Sequence, residues 1–244
     1  MPSDDIVKVC AHVERTIGTS DQWTRWPGGW PEDIESALVD AVFSARAIYK
    51  TERGRGIAHN MAKWQTTRTR SVFSLDALIT EIDAASASRW ASSFGNLQVS
   101  PGRRADAPCG PMKAAAVREA ADKLREHDIN VASDITVSTT EAAKMALRSV
   151  SGIGHATANY FLMLLGVPGV KPDRMIHRFL KDATGHAFTN TYAEQVLQVI
   201  AGRFGVQVHK LDHAIWRYES MRSRRTGYDS SDVNGNASRT LSAI

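Results

Sequence analysis

Cysteine is scarce in this chain, and its scarcity limits the kinds of site that the protein can hold. Only Cys10 and Cys109 are present, and they lie far apart in the sequence. Two cysteines at that separation form neither a disulfide framework nor a zinc-binding pattern. They are typical of proteins in a reducing compartment, so we expect a cytoplasmic location.

Long apolar runs and strand-like alternation are also lacking. No run approaches the roughly 20 apolar residues that a bilayer-spanning helix needs. The acidic residues 1–5 precede no apolar core of a signal peptide. We therefore expect no membrane partner. Alternation of apolar and polar residues is nowhere long enough to predict a strand, and we see no sign of a metal enzyme among the eight histidines.

The charge balance is slightly positive. The formal net charge is +4 at pH 7 and the isoelectric point is about 9.2. This excess permits binding to nucleic acid without requiring it, because a basic face matters more than the total charge. The 244 residues suffice for one large or two small domains with a substantial core.

Helical periodicity dominates the sequence. Apolar residues recur at spacings of three and four, the pattern of amphipathic helices, so the predicted fold class is all-α. The predicted helices outside the central stretch cover residues 6–17, 34–47, 74–83, 86–94, 113–127, 192–204 and 211–221. Ser138 with Glu141, and Thr191 with Glu194, have the spacing of capping boxes that would begin two helices.

Four stretches lack this periodicity. Residues 18–31 contain three tryptophans, whose rings either fill a gap between helical lobes or line a pocket for an extruded base. Residues 50–70 are basic, which is typical of a solvated face and also suits phosphate contacts. Residues 99–111 read as a loop, and residues 223–244 are predicted to be disordered.

The central stretch runs from residue 150 to residue 180 and follows a predicted helix with Ala143, Ala146 and Leu147 on one face. A helix ends at the turn formed by residues 151–154, and a second helix begins near His155. The glycines of the turn permit positive φ angles. The first N–H groups of the second helix would then lack partners and would suit a phosphate. The alternative is a pair of packed helices with a glycine turn and no ligand.

The residues around this turn carry a resemblance to a known family. Thr157 and Ala158 follow the turn, an apolar helix comes next, and Asp173 opens a third helix. This combination resembles the helix-hairpin-helix DNA glycosylase superfamily, which includes endonuclease III, the adenine glycosylases and the alkyladenine glycosylases. The turn matches the Gly-x-Gly of that family, and residues 152–161 are most similar to the alkyladenine branch. Elsewhere the resemblance is a matching order of helices.

The resemblance implies an architecture of two helical lobes. Residues 32–165 would form a barrel lobe that ends in the hairpin, and residues 1–31 with 166–222 would form the second lobe. Double-stranded DNA with a damaged or modified base would bind in a cleft between them. The four-cysteine iron–sulfur cluster of endonuclease III cannot form here, because the ligands do not exist.

The resemblance and the basic stripe after Asp173 also imply a set of site residues. Arg46 stands where relatives carry the residue that fills the hole left by a flipped base; the alternative is a solvated arginine at a helix end. The backbone of Val150 and Gly152 would hold Na⁺ or K⁺, and we expect no other cofactor. The predicted DNA-binding residues are Ser151, Gly152, Ile153, Gly154, His155, Thr157, Arg46, Arg174 and Arg178.

The predicted chemistry depends on Asp173. Cleavage of an N-glycosidic bond builds positive charge on the sugar, which a carboxylate stabilises while it orients a water. In isolation an aspartate after a proline is more often a helix N-cap. Bifunctional relatives use a lysine where this chain has Ala156, so we predict a monofunctional enzyme that leaves an abasic site. Lys171 is close in sequence but does not match that lysine.

Several functions remain open at this stage. The enzyme would act in base excision repair, or would remove hypermodified bases from phage DNA as antiviral defence. Alkylated purines are the first candidate substrate from the resemblance, with uracil and oxidised bases as alternatives. A non-catalytic DNA-binding module and a bifunctional lyase are the other classes. We expect a monomer associated with the nucleoid.

Overall fold

The computed structural model describes residues 3–24, 26, 28–47, 49, 56–94, 99–104 and 107–225. The described chain is helical apart from one short hairpin, which confirms the all-α class. The helices are α1 (Ser3–Ile17), α2 (Ile34–Phe43), α3 (Ile57–Thr67), α4 (Leu75–Ala85), α5 (Ala87–Phe94), α6 (Lys113–Arg125), α7 (Thr140–Ser149), α8 (His155–Leu164), α9 (Arg174–Thr184), α10 (Asn190–Arg203) and α11 (Val208–Arg225). Ala132–Asp134 form a 3-10 turn. Within the described ranges, no helix has the length and apolarity to cross a membrane.

The helices pack into two compact units. The smaller unit comprises Met1–Trp26 and Pro172–Ile244, and the larger unit comprises Pro27–Lys171. Residues 27–31 and 166–171 fall in the larger unit, whereas the resemblance grouped them with the second lobe. The reason is local: Gly29 lies against Leu164 so closely that a Cβ would come within 2.2 Å of the Leu164 oxygen.

Helix α2 is the centre of the larger unit. Every residue of α2 is buried, and the helix packs against α3, α4, α6 and α8. Its apolar residues form the core, but it also buries Glu35, Ser36 and Asp40. Buried polar groups need partners, so these side chains anchor the segments that surround the helix.

An ion-pair network covers the N-terminal end of α2. Arg68 binds Asp33 at 2.5 Å and Glu35 at 3.2 Å, and Arg70 binds Glu35 and also Glu81 at 2.8 Å. The Arg68 side chain is only 4% exposed. The suggestion that the basic run contacts phosphate is therefore wrong for these two arginines, since carboxylates already neutralise them. The earlier part of the run, residues 50–55, lies outside the described residues.

The smaller unit is built from α1, α9, α10 and α11. Helix α1 packs against the other three helices. Asp5 accepts hydrogen bonds from the His186 ring at 3.0 Å and the Tyr192 hydroxyl at 2.8 Å. These two hydrogen bonds hold the pKa of Asp5 below its usual range, and the bond to Asp5 raises the pKa of His186. The contact fastens the start of α1 to the segment after α9 and to α10.

Several predicted boundaries are corrected by the structure. Residues 99–111 are not a loop: β1 (Val99–Arg104) and β2 (Ala107–Met112) form an antiparallel hairpin, with Pro101 opposite Cys109. Proline argues against a central strand, but each strand of a two-stranded hairpin has a free edge where a missing N–H is tolerated. Helix α11 continues to Arg225, so the predicted disorder of residues 223–225 is wrong. Residues 226–244 lie outside the described chain.

Neither predicted capping box forms. Thr139 precedes α7 and makes no side-chain capping bond, and Thr189 caps α10 by accepting a hydrogen bond from the Tyr192 N–H. Helix α3 was not predicted, because its apolar residues lie within a basic, glycine-containing stretch. Helix α2 ends at Phe43 and not at residue 47.

Candidate nucleic-acid interface

The turn between α7 and α8 lies where the sequence predicts it. Helix α7 ends at Ser149, α8 begins at His155, and the two helices pack against each other. Val150 and Ile153 are fully buried, whereas Ser151 and Gly154 are exposed. The turn is closed by a hydrogen bond from the Ile153 N–H to the Val150 carbonyl at 3.2 Å. The buried side chains of Val150 and Ile153 thus anchor the turn, and Ser151 and Gly154 are its exposed residues.

The two glycines of the turn have different roles. Gly152 has φ 88°, a left-handed conformation that side chains other than glycine adopt at a cost. Gly154 has φ −100° and ψ −178°, an extended conformation open to any residue. A Cβ added at Gly154 would meet no atom within 4 Å. The fold therefore requires glycine at the first position only.

The N-terminus of α8 has no side-chain cap. Gly154 is the N-cap and makes no side-chain hydrogen bond to the first turn. His155 and Thr157 are half-buried, and the His155 ring lies 3.5 Å from the Asn159 side chain. Asn159 donates to the Val170 carbonyl at 3.2 Å, which ties α8 to the loop that follows it. A helix start with an exposed, uncapped glycine is suited to an anion.

Asp173 is the N-cap of α9. Its Oδ1 accepts hydrogen bonds from the N–H groups of Met175 at 2.8 Å and Ile176 at 3.3 Å. The side chain is half-buried. Its Oδ2 accepts no hydrogen bond from any residue in the described ranges. The capping alternative considered for Asp173 is therefore observed, but it engages one oxygen and leaves the other accessible to a ligand.

The two predicted arginines of α9 differ in their surroundings. Arg174 is exposed in the first turn of the helix. Arg178 forms an ion pair with Glu219 and also donates to the Glu219 carbonyl at 3.0 Å. Glu219 is completely buried, so this pair holds α11 against α9. Arg174 is the better candidate for phosphate contact, since the charge of Arg178 is already balanced within the protein.

Arg46 is the exposed residue of a half-buried turn after α2. Its φ is 52°, which is unusual for a residue other than glycine. Lys113, the first residue of α6, is 2% exposed and reaches the carbonyls just before Arg46. Its Nζ donates to the Phe43 oxygen at 2.7 Å and to the Ala45 oxygen at 2.6 Å. Burial, with the nearby charge of Lys171, lowers the pKa of Lys113 to about 8.

The burial of one carboxyl group, that of Asp40, was not predicted from the sequence. Asp40, fully buried in α2, accepts hydrogen bonds from Trp30 and Tyr49. Burial raises the pKa of Asp40, partly offset by these two bonds and by the charge of Lys171. Lys171 lies over the Tyr160 ring at 3.7 Å from its centroid. Asp40 lies outside the apolar stripe that Leu38, Ala41 and Val42 form at helical spacing, so periodicity alone gives no sign that it is buried.

The positions of the tryptophans bear on the two interpretations of residues 18–31. Trp23 is buried in the smaller unit, where it donates to the Ile17 carbonyl at 3.0 Å and packs against Phe204. Trp30 lies in the larger unit, where its indole N–H donates a hydrogen bond to Asp40. Both rings therefore pack within one unit, which gives them a structural role but not the predicted one of filling a gap between two lobes.

Metal-binding potential is limited in the described residues. His209 and His213 stand one helical turn apart on α11, a spacing that the sequence analysis passed over, and burial lowers the pKa of each. No group of three or more His, Cys, Asp or Glu side chains in the described ranges could hold a metal ion. The predicted Na⁺ or K⁺ would instead use backbone carbonyls of Val150 and Gly152, and that assignment stays a prediction.

Comparison with known proteins gives a family without an assigned activity. No protein of curated function and no solved structure matches the chain. One family model, described as a domain of unknown function (DUF8548), matches residues 7–220. This match extends over both units and over every residue of the candidate interface. The chain is therefore a member of the DUF8548 family.

Proposed function

We propose that this protein is a monofunctional DNA glycosylase. It binds duplex DNA through the turn between α7 and α8, extrudes a damaged or modified base and hydrolyses the N-glycosidic bond. The observation that carries the proposal is the geometry of Asp173: two backbone N–H groups fix one carboxylate oxygen, and the other accepts no hydrogen bond from the described residues. The order of glycine turn, apolar helix and aspartate also agrees with the resemblance.

A carboxylate held in this way suits the reaction. Departure of the base leaves positive charge on the sugar, and the available oxygen of Asp173 stabilises that charge by proximity. The same oxygen orients the water that attacks C1′. Because the N-cap bonds fix the side chain before substrate binds, little ordering remains to be done at the transition state.

The surroundings of two lysines favour water over an amine as the nucleophile. Ala156 occupies the position of the lysine in bifunctional relatives. The ammonium of Lys171 lies on the Tyr160 ring, and that of Lys113 is bonded to two carbonyls in the core. An amine so engaged must break these contacts before it can attack a sugar.

A second function, DNA binding without catalysis, is favoured by the capping bonds of Asp173. An aspartate that caps a helix stabilises the fold and needs no chemical role. The experiment must therefore distinguish the effect of the negative charge of Asp173 from the effect of the capping hydrogen bonds that its Oδ1 accepts. Asp173→Asn does so, since asparagine retains an oxygen that can accept the same N–H groups.

The test is a panel of duplexes with alkylated, deaminated, oxidised and phage-type hypermodified bases, scored for abasic sites. We expect release of at least one base by the wild type, loss of release in Asp173→Asn, and duplex affinity retained within about twofold because phosphate contacts lie elsewhere. The matched control is Thr189→Ala, which removes the cap of α10 in the same unit and should cost about 1 kcal/mol of stability without loss of activity.

Two results would refute the proposal in different ways. Undiminished turnover by Asp173→Asn would remove the catalytic assignment. Duplex binding with no base released from any member of the panel would support the non-catalytic module instead.

A further inference from the structure

The C-terminal end of α2 is held from inside the core. The last carbonyls of a helix lack partners within it and normally turn to water or to a capping group. Here the Nζ of Lys113 supplies that partner, at 2.7 Å from the Phe43 oxygen and 2.6 Å from the Ala45 oxygen. Lys113 is 2% exposed, so little water competes with the two carbonyls for its ammonium group.

The hydrogen bond from Lys113 to the Ala45 oxygen constrains the backbone of Arg46 directly. The Ala45 carbonyl belongs to the peptide group that joins Ala45 to Arg46, and the φ of Arg46 is measured against that peptide. Arg46 has φ 52°, a conformation that costs free energy in any residue with a Cβ. A hydrogen bond that fixes the orientation of this peptide offsets part of that cost.

The result is an exposed arginine on a constrained backbone. Arg46 is exposed, while the residues below it, from Ala41 to Phe43, are buried. The N–H groups of Ala45 and Ala47 donate to the Val42 and Ser44 carbonyls at 3.3 Å each, which are long bonds. The two bonds from Lys113 are shorter than any backbone hydrogen bond of this turn among the described residues.

We propose that Lys113 is a positioning residue that holds Arg46 in its left-handed conformation and presents it to DNA. The proposal rests on the proposed function, together with the predicted role of Arg46 as the residue that fills the space left by an extruded base. The side chain that replaces the extruded base must enter the duplex at a defined angle to offset the stacking and pairing that the base loses. A constrained backbone supplies that angle before DNA binds.

The choice of lysine is consistent with this role. Burying an ammonium opposes folding unless the group has a specific partner, and a methionine of similar length would fill the same space without that penalty. Burial lowers the pKa of Lys113 to about 8. The neutral amine still carries two N–H donors, which suffice for the Phe43 and Ala45 carbonyls, so the turn stays held on either side of that pH.

The first arm of the test needs no DNA. Hydrogen exchange is followed by mass spectrometry in residues 44–47 of the full chain as wild type, Lys113→Met and Leu124→Ala. Leu124 is fully buried in the same helix, so its truncation destabilises α6 without touching the turn. We expect exchange in residues 44–47 about tenfold faster in Lys113→Met than in Leu124→Ala, as loss of a buried hydrogen bond implies.

A glycine at position 46 is the internal check. Glycine adopts positive φ without strain, so Arg46→Gly should reduce the effect of Lys113→Met on exchange in this turn. Equal exchange in Lys113→Met and Leu124→Ala would overturn the positioning role. An undiminished effect in the Arg46→Gly background would overturn the link to the left-handed conformation.

The second arm measures base release on duplex and on single-stranded DNA with the same modified base. Lys113→Met should lower the duplex-to-single-strand rate ratio, Leu124→Ala should not, and Lys113→Met combined with Arg46→Ala should lower the ratio no further than Arg46→Ala alone. Full additivity would overturn the proposal. Faster exchange in a protein that releases no base would support the role of Lys113 in the turn and refute the glycosylase function.

Discussion

The indole Nε1 of Trp30 donates a hydrogen bond to Oδ2 of Asp40 at 3.0 Å. The Tyr49 hydroxyl donates to the same oxygen, also at 3.0 Å. Oδ1 of Asp40 is buried and has no hydrogen-bond partner among the described residues. One carboxyl oxygen in the middle of α2 thus fastens both the segment that precedes the helix and the segment that follows it.

Asp40→Asn should gain stability over the wild type as pH rises from about 4 towards neutrality. The pKa of Asp40 is raised by burial, so its contribution is fully present below the unfolded pKa and is lost as pH rises through the folded pKa. Asparagine keeps an acceptor for Trp30 and Tyr49 but does not ionise. The gain should reach at most about 1.4 kcal/mol for each pH unit.

Urea unfolding of both proteins across this pH range measures the effect. A stability difference that does not change with pH would mean that Asp40 has the same pKa in the folded and unfolded protein, and would contradict the prediction.

Alanine at the two glycines of the turn should have different consequences. Gly152→Ala should destabilise the protein by about 1 kcal/mol because its φ is positive. Gly154→Ala should fold with nearly wild-type stability, since its Cβ meets open space. If a phosphate approaches the turn, the methyl group at Gly154 should nevertheless weaken binding to every duplex by a similar factor, because phosphate contacts carry no sequence information.

Thermal unfolding and duplex affinity at several salt concentrations separate these effects. Gly202→Ala is the control, because its Cβ also meets open space but lies on α10. Affinity should fall steeply with salt in the wild type. A loss confined to one DNA sequence would indicate that the turn reads bases.

Arg46→Ala should lower base release from duplex DNA more than from single-stranded DNA. Extrusion of a stacked and paired base costs a few kcal/mol, which a side chain inserted in its place offsets. Arg174→Ala, another exposed arginine, is the comparison and should lower affinity without changing the ratio of the two rates. Equal losses on both substrates in Arg46→Ala would assign Arg46 a different role.

The product should be an intact strand with an abasic site that is cleaved only by alkali or by a separate lyase. Without an amine at position 156, no Schiff base forms and β-elimination has no route through one. Borohydride added during turnover should therefore trap no protein–DNA adduct. A trapped adduct would contradict the monofunctional assignment, and replacement of Lys171 and then Lys113 would identify the amine.

The extent to which sequence predicts this fold depends on the range of the interactions involved. The turn at residues 151–154 and the start of α8 were predicted within a residue, because glycine and apolar spacing act locally. The caps of α7 and α10 were misplaced, since several Ser and Thr residues compete for the N-cap position. The hairpin at residues 99–112 was missed because its prolines and glycines resemble those of a loop.

The site residues show the same limit. Positive φ at Gly152 followed from the residue type, whereas positive φ at Arg46 did not, because it depends on a lysine that is remote in sequence. The pairing of Arg178 with Glu219 likewise joins α9 to α11. A basic stripe on a helix cannot reveal which of its members is neutralised by another helix.

The discontinuous smaller unit sets the order in which the chain can fold during synthesis. Helix α1 is synthesised before the larger unit, yet the helices that bury its Ile6, Val9 and Val13 begin only at Arg174. The larger unit is complete in sequence before those helices exist. The apolar face of α1 therefore stays without its native cover until α9, α10 and α11 have been synthesised.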